Sequence, residues 1–188
     1  MSQSVEQNGQ TLERFRSYLY LLARASLDPR HQQKIDASDL VQQTLMDAHA
    51  NQNQFRGTED AQLAAWLKQI LAHNLADALR HHGRAKRDVS RQRALDVAIE
   101  DSFCRAENWL EASQTSPSQH IAKKEQFVQL ADAISKLPSA QREAVILHHL
   151  QGLKLAEVAE QIERSEAAVA GLLYRGLKRL HELLEEPE

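Results

Sequence analysis

The sequence predicts an all-helical protein made of two small bundles. Three observations carry that expectation. Helix breakers are scarce, with 6 Gly and 4 Pro in 188 residues, and β-branched runs are few. Ala, Leu, Gln and Glu dominate, while aromatics make up only 5%. Apolar residues recur at helical spacing in long stretches on either side of one aperiodic segment.

Taken in order, Leu12, Phe15, Leu19, Leu22 and Ala23 place one apolar face on a helix from about residue 11 to residue 27, stopped by the Asp28–Arg30 stretch "DPR". Asp36 to Ser38 supply cap residues for a second helix reaching about Asn51, with Leu40, Val41, Leu45 and Ala48 inward. Gly57 breaks the chain and residues 58–60 start a third helix, from about Ala61 to His82, with a wide apolar side around Trp66, Leu67 and Leu71. This gives an N-terminal bundle of three or four helices over residues 10–93.

Residues 94–119 lose clear periodicity, and the stretch "EASQTSPSQ" reads as a linker. A second, four-helix unit is expected over 120–184. Phe127, Leu130, Ala131, Ile134 and Leu137 form its first stripe, ended by Pro138, and Ser139 is the expected cap of the next helix. The last two helices, "LKLAEVAEQI" and "SEAAVAGLLYRGLKRL", are joined by about three residues, which is helix-turn-helix spacing. At about 100° per residue, Val169, Leu173, Leu177 and Leu180 share a narrow packing face, with Gly176 beside it to allow close approach. Ala170, Gly171, Tyr174, Arg175 and Lys178 fall on the open side. Periodicity alone is equally compatible with a helical hairpin buried in a core.

The formal charge of −3 hides a local pattern. Residues 80–93 hold six Arg or Lys against one Asp, and 94–120 hold one Arg against five acids. Arg80, Arg84 and Arg87 would form a cationic stripe if the third helix continued, suited to phosphate neutralisation; a solvated helix end is the alternative, but six basic residues in fourteen exceed what capping requires, which favours nucleic acid. One cysteine, Cys104, excludes an internal disulfide and a cysteine-based zinc site. The pairs His81–His82 and His148–His149 point about 100° apart on a helix and do not converge on an ion. No catalytic motif is present, so neither enzyme activity nor a cofactor or metal is expected. No apolar run spans a membrane and the N-terminus lacks a secretory core, so a cytoplasmic protein without membrane insertion is expected.

Several stretches occur in an ordered series: "DASDLVQQTLMDAH", "FRG", "AWLKQILAHNLADALRHH" and the run from Leu137 to Leu180. In this the chain resembles the extracytoplasmic-function (ECF) sigma factors of the sigma-70 family from about Leu12 to Leu183. The resemblance implies a transcription initiation factor that binds bacterial RNA polymerase core, directs it to promoters and assists melting. It places Asp39, Leu40, Val41, Gln42 and Gln43 on the polymerase-docking surface, with Gln43 where the family usually carries an acid. It places Phe55 and Arg56 in a loop holding an extruded base. His73, Asn74, Asp77 and Arg80 would lie on the helix facing the minus-ten element, with Arg84, Lys86 and Arg87 extending a cationic channel for melted non-template strand; Trp66 reads as core. The helix-turn-helix would meet the minus-thirty-five duplex through Ser165, Ala170, Gly171, Tyr174, Arg175, Lys178 and Arg179. Relatives often carry Lys, Ser and Arg where this chain has Ala170, Gly171 and Leu172, and a Ser or Thr cap where it has Lys154. An anti-sigma protein is a further implied partner. The rival readings are a stand-alone regulator of the response-regulator output type and a helical protein-interaction adaptor.

Overall fold

A computed structural model describes residues 11–27, 29–32, 34–82, 97, 100–102, 104, 105 and 122–185. All regular structure among them is helical. The first group comprises α1 (Arg16–Ser26), the single turn α2 (Pro29–Gln32), α3 (Ala37–Ala50), a 3₁₀ turn at Gln52–Gln54 and the long α4 (Asp60–His82). The second comprises α5 (Ala122–Ser135), α6 (Ser139–Val145), a π-helical turn at Ile146–Leu150, α7 (Leu155–Gln161) and α8 (Glu166–Glu185).

The expected first helix is interrupted. Residues 11–13 are helical, the chain turns at residues 14 and 15, and α1 starts at Arg16. The apolar face survives the break, because Leu12, Phe15, Leu19 and Leu22 are all buried. Asp36 is the cap of α3, accepting from the Ser38 N–H at 2.7 Å. Ser139 is not a cap: Pro138 holds that position and its carbonyl accepts from Gln141 and Arg142 N–H groups.

The π-helical turn follows α6 without a break; Gln151 N–H reaches back to Ile146 O at 3.0 Å. Gly152, at φ +77°, then reverses the chain, a left-handed conformation that glycine adopts without strain. The α7–α8 turn uses a left-handed residue that is not glycine, Glu163 at φ +53°. Lys154 N–H donates to the Glu157 carboxylate at 2.7 Å, the reach-back half of a capping box. The lysine side chain has no acceptor to supply the other half.

The apolar cores of the two groups are continuous, with α5 packed against α1 and α4. Where they meet, the C-terminal carbonyls of α1, which lack partners within the helix, accept from distant side chains. Gln151 Nε2 donates to Arg24 O at 2.8 Å and to Leu27 O at 2.9 Å. Ser102 Oγ lies 3.4 Å from Ala25 O. Arg105, which bonds Ser102 Oγ at 3.1 Å, donates through Nε to Leu150 O at 3.0 Å. An ion pair between Arg24 and Glu143 completes the seam.

Candidate nucleic-acid and partner interface

Three exposed faces carry the residues singled out in the sequence. The first is the outer side of α3. Asp39, Gln42 and Gln43 are exposed there, but Leu40 and Val41 are not, with 6% and 1% of their surface open. Both side chains belong to the core, so the expectation that they touch a partner is corrected: only their polar neighbours are exposed on this face. Gln42 is held by Arg16 (Nη2 to Oε1, 3.1 Å), whose guanidinium also grips Glu13. That bond holds the Glu13 carboxyl below its usual pKa and raises that of Arg16. Asp39 lines an open polar cleft with Tyr20, Arg24, Lys34 and Asp36, and Glu143 of α6 lines it too.

The second face joins the Phe55 loop to α4. The rings of Phe55 and Trp66 lie 5.3 Å apart at 31°, both half-buried against the core. Gly57 lets the loop close on them: a Cβ there would stand 2.5 Å from Phe55 Cζ and 2.7 Å from Gln62 Oε1. Gln62 Oε1 in turn accepts from Thr58 N–H at 2.9 Å. Arg56 is exposed beside this stack. Along α4, His73, Asp77 and Arg80 form one exposed row, with Asp77 accepting from Arg80 and standing 3.2 Å from His73 Nε2.

Asn74 does not join that row. Its amide donates to Asp47 Oδ2 at 2.9 Å and approaches Thr44 Oγ1 at 3.3 Å, so it clasps α4 to α3. The expectation of a base-edge contact from Asn74 is corrected on that ground, because its donor is already committed to a half-buried pair. Arg84, Lys86 and Arg87 lie outside the described residues.

The third face belongs to α8. Ser165 caps it, its Oγ accepting from Ala168 N–H at 3.2 Å. Val169, Leu173, Gly176 and Leu180 are buried. Gly176 permits the expected close approach, since a Cβ there would meet Val145 Cγ2 at 3.2 Å. Leu177, expected in the packing face, is 37% exposed; its neighbours cover only one edge of that face. Ala170, Tyr174, Arg175, Lys178 and Arg179 are exposed and Gly171 is half-buried. The Arg175 guanidinium folds back over Gly171, where a Cβ would stand 3.2 Å from Nη1. Arg179 is paired with Glu182 at 2.9 Å. The exposed cationic groups at the helix-turn-helix are therefore Arg175, Lys178 and Arg179, with Tyr174 (73% exposed) projecting between them.

Among the described residues, no three His, Cys, Asp or Glu side chains are grouped as metal ligands. No helix among them is long and apolar enough to cross a membrane. The half-buried His149 has its pKa lowered to about 4, first by burial and then by the neighbouring His148. His148 donates through Nδ1 to Leu153 O at 2.8 Å.

Comparison with known proteins places this geometry. Residues 127–180, the segment from α5 through most of α8, match the model of sigma-70 region 4. The chain is 28% identical over 153 residues to the ECF RNA polymerase sigma factor BldN of Streptomyces coelicolor, covering 81% of this chain and 52% of that protein. It is 29% identical over 149 residues to the ECF RNA polymerase sigma factor SigM of Mycobacterium tuberculosis, covering 79% of this chain and 64% of that one. The chain thus spans between half and two thirds of the length of these relatives. A solved structure of the sigma factor RpoE in complex with the anti-sigma factor NepR, from Bartonella quintana, aligns over 97% of this chain and 99% of that one, with 24% identity and a TM-score of 0.36. Residues 127–180 thus match sigma-70 region 4, and over about four fifths of its length the chain is similar to ECF sigma factors.

Proposed function

We propose that the protein is a transcription initiation factor that binds bacterial RNA polymerase core, brings it to particular promoters and assists melting. The observation that carries this reading is the match to ECF sigma factors across about four fifths of the chain. In this reading residues 10–93 act as a region-two-like unit and 120–184 as a region-four-like unit, joined by 94–119. Asp39, Gln42 and Gln43 offer polar contacts to polymerase. Phe55, Arg56, His73, Asp77 and Arg80 face the minus-ten element, and the basic run through Arg84, Lys86 and Arg87 neutralises the melted strand. Tyr174, Arg175, Lys178 and Arg179 meet the minus-thirty-five duplex.

The α8 face supports docking more than base reading. Its first two turns present Ala167, Ala170 and Gly171, which can form no bidentate contact with a base. Two weak DNA contacts tethered to one polymerase reinforce each other, so neither unit alone needs high affinity. The protein works in the cytoplasm, and an anti-sigma protein is its natural antagonist. The named relatives are initiation factors rather than enzymes.

The deciding experiment mixes purified chain with bacterial polymerase core. Co-elution in gel filtration, with promoter-dependent run-off transcripts from genomic fragments, is the expected result. Failure to bind core would overturn the reading. A tight, polymerase-independent gel shift on operator duplex would favour a stand-alone regulator instead.

A further inference from the structure

The α8 helix has two apolar faces, and its own bundle uses one. Val169, Leu173, Gly176 and Leu180 are buried. Ala167, Ala170, Tyr174, Leu177, His181 and Leu184 are all exposed and succeed one another at intervals of three and four residues. That is the seam spacing of a coiled coil, sustained over roughly 27 Å of helix. Exposure here is substantial: Tyr174 73%, Leu177 37% and Leu184 43%. Five large apolar side chains are exposed among the described residues, and these are three of them.

Charge along the flank of the seam is polarised. The flank nearest the seam carries Lys178 and, two turns further on, Glu185. A second α8 laid parallel and in register would leave Lys178 and Glu185 of the two copies on opposite sides of the pair. Laid antiparallel, it brings Lys178 of each copy to the same side as Glu185 of the other. The apolar spacing agrees with the second arrangement. An antiparallel pairing centred on Arg179 sets Tyr174 against Leu184 of the second copy and Leu177 against its His181, with the same contacts repeated by symmetry. Lys178 then reaches Glu185 of the second copy. Glu185 at present pairs with His181 at 3.1 Å, an exposed contact that is readily exchanged.

We propose that this stripe is a docking surface for a second copy of the same chain, forming a weak, two-fold symmetric dimer through antiparallel α8 helices. The pairing engages residues 174–184 of each copy, a contact smaller than a standard interface and suited to weak, transient association. The inference goes beyond the initiation-factor reading and requires neither polymerase nor DNA. One consequence does rest on that reading: dimerisation covers Tyr174 and Lys178, so a paired helix cannot also occupy promoter DNA.

The test is sedimentation equilibrium of the full chain alone, from about 5 to 500 µM, with thermal melts to confirm that each variant is folded. Wild type should show a monomer–dimer equilibrium that weakens with added salt. Leu177→Glu should weaken it at least tenfold, as should Tyr174→Arg, whose parent side chain is too exposed to support the fold. Lys178→Glu and Glu185→Lys should each weaken it, and the double exchange should return it to within about threefold of wild type. A chain monomeric throughout would overturn the proposal, and so would a dimer indifferent to Leu177→Glu and Tyr174→Arg. If the double exchange fails to rescue, the antiparallel register is wrong. A monomer whose stripe variants lose only a DNA or heterologous protein partner would assign the surface to that partner and reject the second copy.

Discussion

Gln43 and Asn74 are held by the two oxygens of one carboxylate: Gln43 Nε2 donates to Asp47 Oδ1 at 2.8 Å and Asn74 Nδ2 to Asp47 Oδ2 at 2.9 Å. A residue proposed to face polymerase is thereby tied to the helix proposed to face the minus-ten element. Asp47→Ala removes the shared acceptor and leaves Asn74 with only the 3.3 Å contact to Thr44. The expected cost is about 1–2 kcal/mol, seen as a lower urea midpoint at unchanged slope. Asp47→Asn keeps one acceptor and should lose less than about 1 kcal/mol. Equal losses from the two variants would mean that the bonds to Asp47 contribute nothing specific.

The seam between the helix groups gives a second expectation. Gln151→Ala removes two donors from the end of α1, and Glu143→Ala removes the partner of Arg24. Each should speed amide exchange in the last turn of α1 and around residues 146–153 by about tenfold, which corresponds to about 1.4 kcal/mol of local opening. Exchange in the Asp47–Asn74 region should not change. Acceleration spread evenly over the chain would show global destabilisation instead of an opened seam.

His149 makes stability depend on pH. Its folded pKa, about 4, lies below the ordinary 6.5 because burial disfavours the imidazolium. Between pH 6.5 and about 4 the unfolded chain binds a proton that the folded chain refuses. Stability therefore falls as pH drops through that window and levels off below it. The full shift corresponds to roughly 3 kcal/mol, and partial solvent access reduces this to about 2. Chemical denaturation at pH 7, 5.5 and 4.5 should show the decline, and His149→Leu should flatten it by that amount.

Glu163 occupies a left-handed backbone conformation at φ +53°, where its Cβ crowds the following carbonyl. Glu163→Gly removes that crowding and should raise stability by about 0.5–1 kcal/mol, net of the freedom glycine adds to the unfolded chain. A higher thermal midpoint checks this. Any loss would mean that the Glu163 side chain makes a compensating contact.

Helix ends were legible in the sequence where a side-chain cap or a glycine marked them, but Ser139 proved to be the first residue of α6 and not its cap. Asp36 and Gly57 bracket α3 and the following loop, and the expected limits of α4 fall within one residue of those observed. Outer and inner faces were legible to the precision that about 100° per residue allows. That precision places Val169 and Leu173 correctly but cannot say how far a neighbouring helix extends over Leu177. The commitment of Asn74 was hidden for a related reason. Its acceptor lies 27 residues earlier on another helix, and only the crossing of α3 and α4 brings them together. Leu40 and Val41 illustrate the converse: periodicity had already put them inward, and the family resemblance drew them onto a contact surface.

Gln151 lies 127 residues after the Arg24 carbonyl it caps. A ribosome adding about 5–20 residues per second makes Arg24 roughly 6–25 s before Gln151 exists. The first long helix synthesised is therefore among the last to be finished. Until the C-terminal half emerges, the Arg24 carbonyl stays open to water and to whatever binds nascent chains.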